Sequence, residues 1–461
     1  MEIEVNESFL KLLGGDQEQF ALGTKWYPGI DDSKRFVNPK VHDLIPKGIL
    51  PPRIKRDDIP HKLKYDPRLR KSPGMQDMVK VCHNGQRKLF ICELQHLTAI
   101  MDSLDERALI IYAGAAPTNK SKIYADGFNN SKFILIDPNE FNIYSSVRKD
   151  RVSHYSDPGD AVVYMSVSSE KTATSRYDYS PKLVKHYATD EIIDLKDLKE
   201  DIPHEVDSSV DYILNSNHQM YIFNEYMTCP IAALLNQVIL KGNFSKVLFW
   251  SDIRTNMDGE GTGDSPSDTD IIANTAWTYS WLRVLSKNYP KQIYFMLKFR
   301  LPYLESKVKW DVIKDVIDEA RIKGFDYKKT FEEEKELYWF PGEVYIQAFA
   351  GPRSAEARLW GEVTEATSND LVKHELGVHE DIMFYYNAVE RFGAKYENSH
   401  SDPKIGFDHC GDCAIESKVY QDFVQKFYDP KSEDKRIKIL VYYLSKITNR
   451  SHARNPHGHN F

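Results

Sequence analysis

Two residues of this chain stand where chemistry could be done. Asp252 ends the apolar run Val247-Leu248-Phe249-Trp250 and opens a polar, Gly/Asp-rich loop. A carboxylate at the tip of a buried strand either caps a turn or faces the crevice in which open parallel α/β sheets bind ligands. Lys298 lies in a second apolar run, QIYFMLKF over 292–299, four residues before Pro302 and so near its carboxyl end. Burying an ammonium costs free energy, so this amine reaches the surface, is paired, or has a depressed pKa and can act as a base. A third constellation is His409-Cys410-Gly411-Asp412-Cys413. It has no second cysteine pair at zinc-finger spacing. The alternatives are a structural zinc completed by a distant residue such as His400, or a reduced, metal-free pair packed in the domain.

These residues need a scaffold, and the hydrophobic pattern predicts one. Phe90, Leu94, Leu97 and Met101 recur at three- and four-residue steps, which places Lys88 near the start of an amphipathic helix. A strand at 108–112 runs into the small-residue loop 113–119, and a second strand at 132–136 ends in Asp137. Strand, small-residue loop, helix, strand and terminal acid, the acid about 20 residues beyond the loop, is the layout that sets a carboxylate against an adenosine ribose. A polar segment at 142–217 interrupts the alternation and reads as an insertion, part ordered and part loop. The alternation resumes with a strand at 219–223, a helix at 230–240, the strand KVLFWS, a helix at 271–285 and the strand 292–299. Residues 337–350 read as strands of a hairpin closing over 351–358, and 418–448 as a mostly amphipathic segment before a tail of disordered composition.

A chain of 461 residues accommodates one large α/β domain with insertions or a few smaller ones. A net charge of -7 argues against a surface coated with basic residues for unspecific nucleic-acid binding, while leaving room for a local basic groove. Such a stretch runs from Lys47 to Lys80, where prolines prevent a long helix. It is either solvated surface or a track for a phosphate backbone. Five cysteines spread through a long chain do not make a disulfide framework and point to a reducing compartment. The opening MEIEVNESFL has no signal-peptide pattern and no run reaches the length of a membrane span, so a soluble intracellular protein is expected.

Lys88, Asp252, Lys298 and Glu356 together have the order and context of the Lys-Asp-Lys-Glu tetrad of RNA 2'-O-methyltransferases. The chain most closely resembles the poxvirus-type cap-specific mRNA (nucleoside-2'-O-)-methyltransferases, a family that also serves as the poly(A) polymerase regulatory subunit. The resemblance is carried by GQRKLFICEL (85–94), IIYAGAAP (110–117), FILID (133–137), WSDIR (250–254), LKFRLPYLE (297–305) and SAEARL (354–359). It covers residues from about 60 to 141 and from 218 to 390, more faintly to 430. The loop AAPTNK departs from the family pattern at Thr118, where a second glycine is usual, and Asn139 stands where the family has an arginine.

The resemblance implies a Rossmann-like, S-adenosylmethionine-dependent methyltransferase fold: α/β, with a central, mostly parallel sheet flanked by helices. It implies an N-terminal extension over 1–60, a methyltransferase domain over 61–430 with its insertion, and a C-terminal segment with a flexible tail over 431–461. The implied activity is methylation of the ribose 2'-hydroxyl of the first transcribed nucleotide of m7G-capped mRNA. Lys298 would be the base, with its pKa lowered by Lys88 and partial burial, and Asp252 and Glu356 would hold the ammonium. The chemistry calls for no metal. The cofactor is S-adenosyl-L-methionine, assigned by similarity to Gln86, Tyr112, Gly114, Pro117 and Asp137, with Asp252 beside them. N7-methylguanine is a flat cation, held best between aromatic rings with carboxylates accepting from its edge. By similarity the rings are Tyr65 and Tyr303 and the acids Glu305 and Glu380. The family also implies a poly(A) polymerase catalytic subunit as partner, no membrane, and a large DNA virus as source. It places the protein in the host cytoplasm where the virus replicates, or in the virion. Two other readings stay open: a non-catalytic RNA-binding processivity subunit, and a 2'-O-methyltransferase of uncapped structured RNA.

Overall fold

The structure is a computed structural model that describes residues 48–59, 85–118, 127–128, 130–139, 162–165, 184–185, 192–193, 206–215, 219–259, 266–320, 326–350, 354–387, 396–400, 409, 411–428, 436–437 and 440. Its strands are Ala108–Ala113 (β1), Lys132–Ile136 (β2), Val162–Met165 (β3), Val184–Lys185 (β4), Ile192–Ile193 (β5), Met220–Phe223 (β6), Lys246–Ser251 (β7), Ile293–Phe299 (β8), Glu336–Trp339 (β9), Glu343–Tyr345 (β10), Ala357–Val363 (β11) and Val372–Glu375 (β12). The helices that matter here are Gly85–Ile100 (α1), Val206–Asn215 (α2), Cys229–Lys241 (α3), Asp268–Ser286 (α4), Trp310–Ala320 (α5), Leu376–Tyr385 (α6) and Gly411–Phe427 (α7).

An eight-stranded sheet in the order β10-β11-β8-β7-β1-β2-β6-β3 forms the centre. Strands β8, β7, β1, β2, β6 and β3 run parallel, and β11 enters antiparallel beside β8. The chain is therefore α/β with a mostly parallel sheet, an architecture compatible with a Rossmann-like fold. ALIIYA and VLFW read as unbroken apolar runs because these strands are covered on both faces. Leu109, Ile111, Val247 and Phe249 pack with α3 and α4, while Ile110, Tyr112, Leu248 and Trp250 pack with α1 and α7. Thr228 caps α3, and Ser267 and Asp270 form a capping box on α4, which starts these helices just where the loops from β6 and β7 end.

The expected hairpin within 337–350 is not formed. β9 pairs with β12 in a separate two-stranded sheet, whereas β10 joins β11 at the edge of the main sheet. Pro341-Gly342 separates the two strands. Gly342 packs so closely on Trp360 that a Cβ there would lie 2.3 Å from the Trp360 carbonyl oxygen, so the chain after β9 is drawn into the other sheet. Within the segment at 142–217, read as part ordered and part loop, β3 extends the main sheet beside β6 and α2 packs on α3. Helix α7 begins before residue 418, because its first two turns bury Asp412, Glu416 and Ser417 alongside apolar residues, a face that hydropathy does not mark. Among the described residues no helix is long and apolar enough to cross a membrane.

Candidate active site

Strand order reverses between β1 and β7: the chain moves outward through β2, then returns to the other side of β1. This is the switch point at which open α/β sheets bind ligands beyond their carboxyl ends. Asp252 sits there, its backbone N–H donating to the Ala113 carbonyl at 2.9 Å. Gly114 follows β1 with φ +79°, and a Cβ at that position would lie 2.7 Å from Asp252 C and Ile253 N. Only glycine lets the loop after β1 lie against the backbone that carries Asp252.

The four residues of the expected tetrad come from α1, the end of β7, β8 and the approach to β11, and they meet in one buried cluster. Lys88 Nζ lies 2.6 Å from Glu356 Oε1. Lys298 Nζ lies 3.5 Å from Glu356 Oε2 and 3.7 Å from Asp252 Oδ1, and among the described residues it makes no hydrogen bond. A fifth member was not expected. Arg358 is the register partner of Lys298 across β8 and β11. Its Nη2 donates to Asp252 Oδ1 at 2.8 Å and to Glu356 Oε1 at 3.3 Å. Gln347 orients it, accepting from Arg358 Nε at 3.1 Å and donating to Glu356 Oε1 at 3.2 Å. The cluster is completed electrostatically by Arg254, which acts on Lys298, Asp252 and Glu356.

Protonation follows from burial and from this surplus of cations. Burial pushes the Lys298 amine down to about 7, and the Arg254 cation pushes the same way; together they outweigh the pull of Asp252 and Glu356. Burial and Lys88, the two causes expected, both act downward, but Lys88 has the smallest effect of those named, Arg254 was not expected, and the close partner of Lys88 is Glu356. Burial would raise the Asp252 carboxyl, but Lys298, Arg358 and Arg254 hold it well below the usual carboxylate range. Glu356 is likewise held low against burial by Lys298, Lys88 and Arg358. Two carboxylates thus stay ionised around an amine that can lose its proton near neutrality.

Of the expected cofactor residues, Tyr112, Gly114, Pro117 and Asp137 lie at the carboxyl ends of β1 and β2, next to Asp252. Gln86 is in the first turn of α1. The Tyr112 hydroxyl is committed to the interior, donating to Glu93 at 2.7 Å. Asp137 Oδ1 accepts from the Asn139 N–H at 2.8 Å and its side-chain amide at 2.9 Å, and Oδ2 accepts from the Ala116 N–H at 3.2 Å. A carboxylate has about four acceptor sites, so capacity remains on Oδ2 for one hydroxyl.

Of the expected cap residues, Tyr65 lies outside the described residues. Tyr303, Leu304 and Glu305 follow β8 directly, and the Arg300 guanidinium stacks 5.4 Å from the centroid of the Tyr303 ring. Glu305 is exposed, whereas Glu380 on α6 is buried and accepts from the Leu304 N–H at 3.4 Å. Glu380 therefore fixes the loop that carries Tyr303. His409 Nδ1 bonds to the Tyr396 carbonyl at 3.0 Å, and His400 Nδ1 lies 2.9 Å from Ser417 Oγ. Cys413 is buried in α7, and Cys410 lies outside the described residues. Among the described residues no three His, Cys, Asp or Glu side chains form a group suited to a metal ion.

Arg358 and Arg254 belong to the very motifs, SAEARL and WSDIR, that carry the tetrad. Their signal was available: an arginine inside the strand ARLWGEV must pair with buried carboxylates or unfold it. No model of a known protein family matches this chain, and a search of curated proteins finds no significant match.

Proposed function

We propose that this protein is a cap-specific mRNA 2'-O-methyltransferase, acting on the first transcribed nucleotide of m7G-capped RNA. The observation that carries the proposal is Lys298: buried, without a hydrogen bond, flanked by two ionised carboxylates, and placed beside the switch-point crevice. A ribose hydroxyl is a poor nucleophile at neutral pH, and its activation needs a positioned acceptor for one proton. The neutral Lys298 amine accepts that proton. The ammonium so formed is stabilised by Glu356 and Asp252, at 3.5 and 3.7 Å. S-adenosylmethionine, when bound, supplies an already activated methyl group. Gly114, which lets the loop after β1 lie against the backbone carrying Asp252, and the remaining acceptor site on Asp137 fit the ribose end of that molecule.

Tyr303, a half-buried ring in the segment after β8 that already takes the Arg300 guanidinium 5.4 Å from its centroid, supports recognition of the cap by stacking. Lys298→Ala is expected to abolish methyl transfer to m7G-capped RNA while cap-analogue binding persists. An undiminished rate in that variant would refute the assignment. A comparison of m7GpppA-capped with GpppA-capped RNA tests the cap, since a methyltransferase of structured RNA has no preference between them.

One observation favours a second reading, a non-catalytic RNA-binding subunit of a poly(A) polymerase. Asp137 is largely occupied by its own loop, through the asparagine that stands where the family has an arginine. Titration with S-adenosylmethionine decides between them: saturable binding supports the enzyme, and RNA binding without it supports the subunit.

A further inference from the structure

Each carboxylate at the site has a closer partner than Lys298. Asp252 Oδ1 receives Arg358 at 2.8 Å and stands 3.7 Å from Lys298 Nζ. Glu356 Oε1 receives Lys88 at 2.6 Å, Gln347 at 3.2 Å and Arg358 at 3.3 Å, which leaves only Oε2 near Lys298, at 3.5 Å. A lysine among two buried carboxylates would ordinarily close on them, because short charge-assisted bonds near 2.8 Å are the strong ones. Here the amine is left without one. Arg358 hydrogen-bonds to both acids, and it is itself held in line by Gln347 at 3.1 Å.

We propose that Arg358 is a positioning residue: its guanidinium engages Asp252 and Glu356 together and so keeps them from closing on Lys298, leaving the amine free to take a proton. The proposal rests on the reading of Lys298 as the base. The groups that face this amine are Asp252 and Arg254 after β7, Glu356 and Arg358 on the β11 side, and Lys88 on α1. Without the guanidinium both carboxylates lose their shared partner, and Lys298, 3.7 Å from Asp252 and 3.5 Å from Glu356, is a donor able to replace it at both. Loss of the Arg358 cation acts in the same direction by ordinary Coulomb attraction. An arginine suits this task better than a lysine because its planar fork spans two acceptors and stays charged.

The test reads Lys298 itself and needs neither cofactor nor RNA. Acetic anhydride acetylates neutral amines, so the pH dependence of Lys298 acetylation in the full chain, followed by peptide mass spectrometry, gives the midpoint of its titration. The wild type is expected to show a midpoint near the value of about 7. In Arg358→Gln the midpoint rises by about one unit or more, which below both midpoints slows acetylation about tenfold per unit. Arg358→Lys, which keeps the charge and one contact, falls between. Gln347→Leu removes no charge and only loosens the aim of the guanidinium; it moves the midpoint upward by less, and it decides the matter should Arg358→Gln fail to fold. A purely structural arginine would lower the melting temperature and leave the midpoint where it was. A wild-type midpoint near 7 with no rise in the variants overturns the role of Arg358 and leaves the base intact. A wild-type midpoint near that of an ordinary lysine overturns both.

Discussion

Replacing Lys298 with methionine, a side chain of similar length and no charge, separates what this residue does for stability from what it does for catalysis. In the folded chain the amine titrates at about 7, against 10.5 for an unperturbed lysine. The sign follows directly. Between these values the unfolded chain holds the proton and the folded chain does not, so protonation favours unfolding and stability rises with pH across that window. Integrated from roughly pH 6.5 to pH 9, this single group adds about 2–3 kcal/mol to the wild type, at about 1.4 kcal/mol per pKa unit. Lys298→Met lacks the group and so lacks the rise. The assay is urea unfolding of both proteins at the two pH values, with the difference between them cancelling every other titrating group. The wild type should lose ground to the variant at the lower pH by that amount, and methyl transfer should be absent from the variant at both. A gap between the two proteins that stays constant with pH would refute the claim that Lys298 is buried at a depressed pKa. The same titration predicts a methyl-transfer rate that climbs with pH through about 7 and then levels.

Other perturbations probe the parts around it. Gly114→Ala, at φ +79° and with its new methyl 2.7 Å from Asp252 C, should cost about 1–3 kcal/mol in thermal unfolding and shift the Lys298 acetylation midpoint by moving Asp252. Glu416→Gln strips the buried Arg87 of a partner 2.6 Å away, where α7 holds the first turn of α1; about 3–5 kcal/mol of stability should go, seen as a lower melting temperature. Tyr303→Ala should weaken binding of an m7G cap analogue by about 1–2 kcal/mol in a fluorescence titration, while leaving the affinity for unmethylated GpppA little changed.

Much of the scaffold was legible without coordinates. Strands β1, β2, β6, β7 and β8 appear as apolar runs because a parallel sheet buried on both faces leaves no polar alternation to confuse the reading. Helices α3 and α4 were legible over 230–240 and 271–285, while their capped starts at Thr228 and Ser267 emerge only in the structure. Strand pairing was less legible, as β9 and β10 demonstrate: both are strands, yet partnership depends on a Gly342–Trp360 contact between residues far apart in the chain. The start of α7 was hidden for a related reason, since Asp412 and Glu416 are polar by type and buried only because Phe349 and Arg87 meet them.

The candidate site divides in the same way. From residue types, order and resemblance came Lys88, Asp252, Lys298 and Glu356, and the position of Asp252 at a strand tip. Local pattern records such features because strand ends and helix starts are written in contiguous residues. Which donor each carboxylate takes is not local. That Arg358 holds Asp252 and Glu356, that Arg254 outweighs Lys88 in lowering the Lys298 pKa, and that the amine is left unbonded all depend on distances between segments about 50 to 270 residues apart. Electrostatic coupling falls with separation in space, and only the folded chain sets that separation.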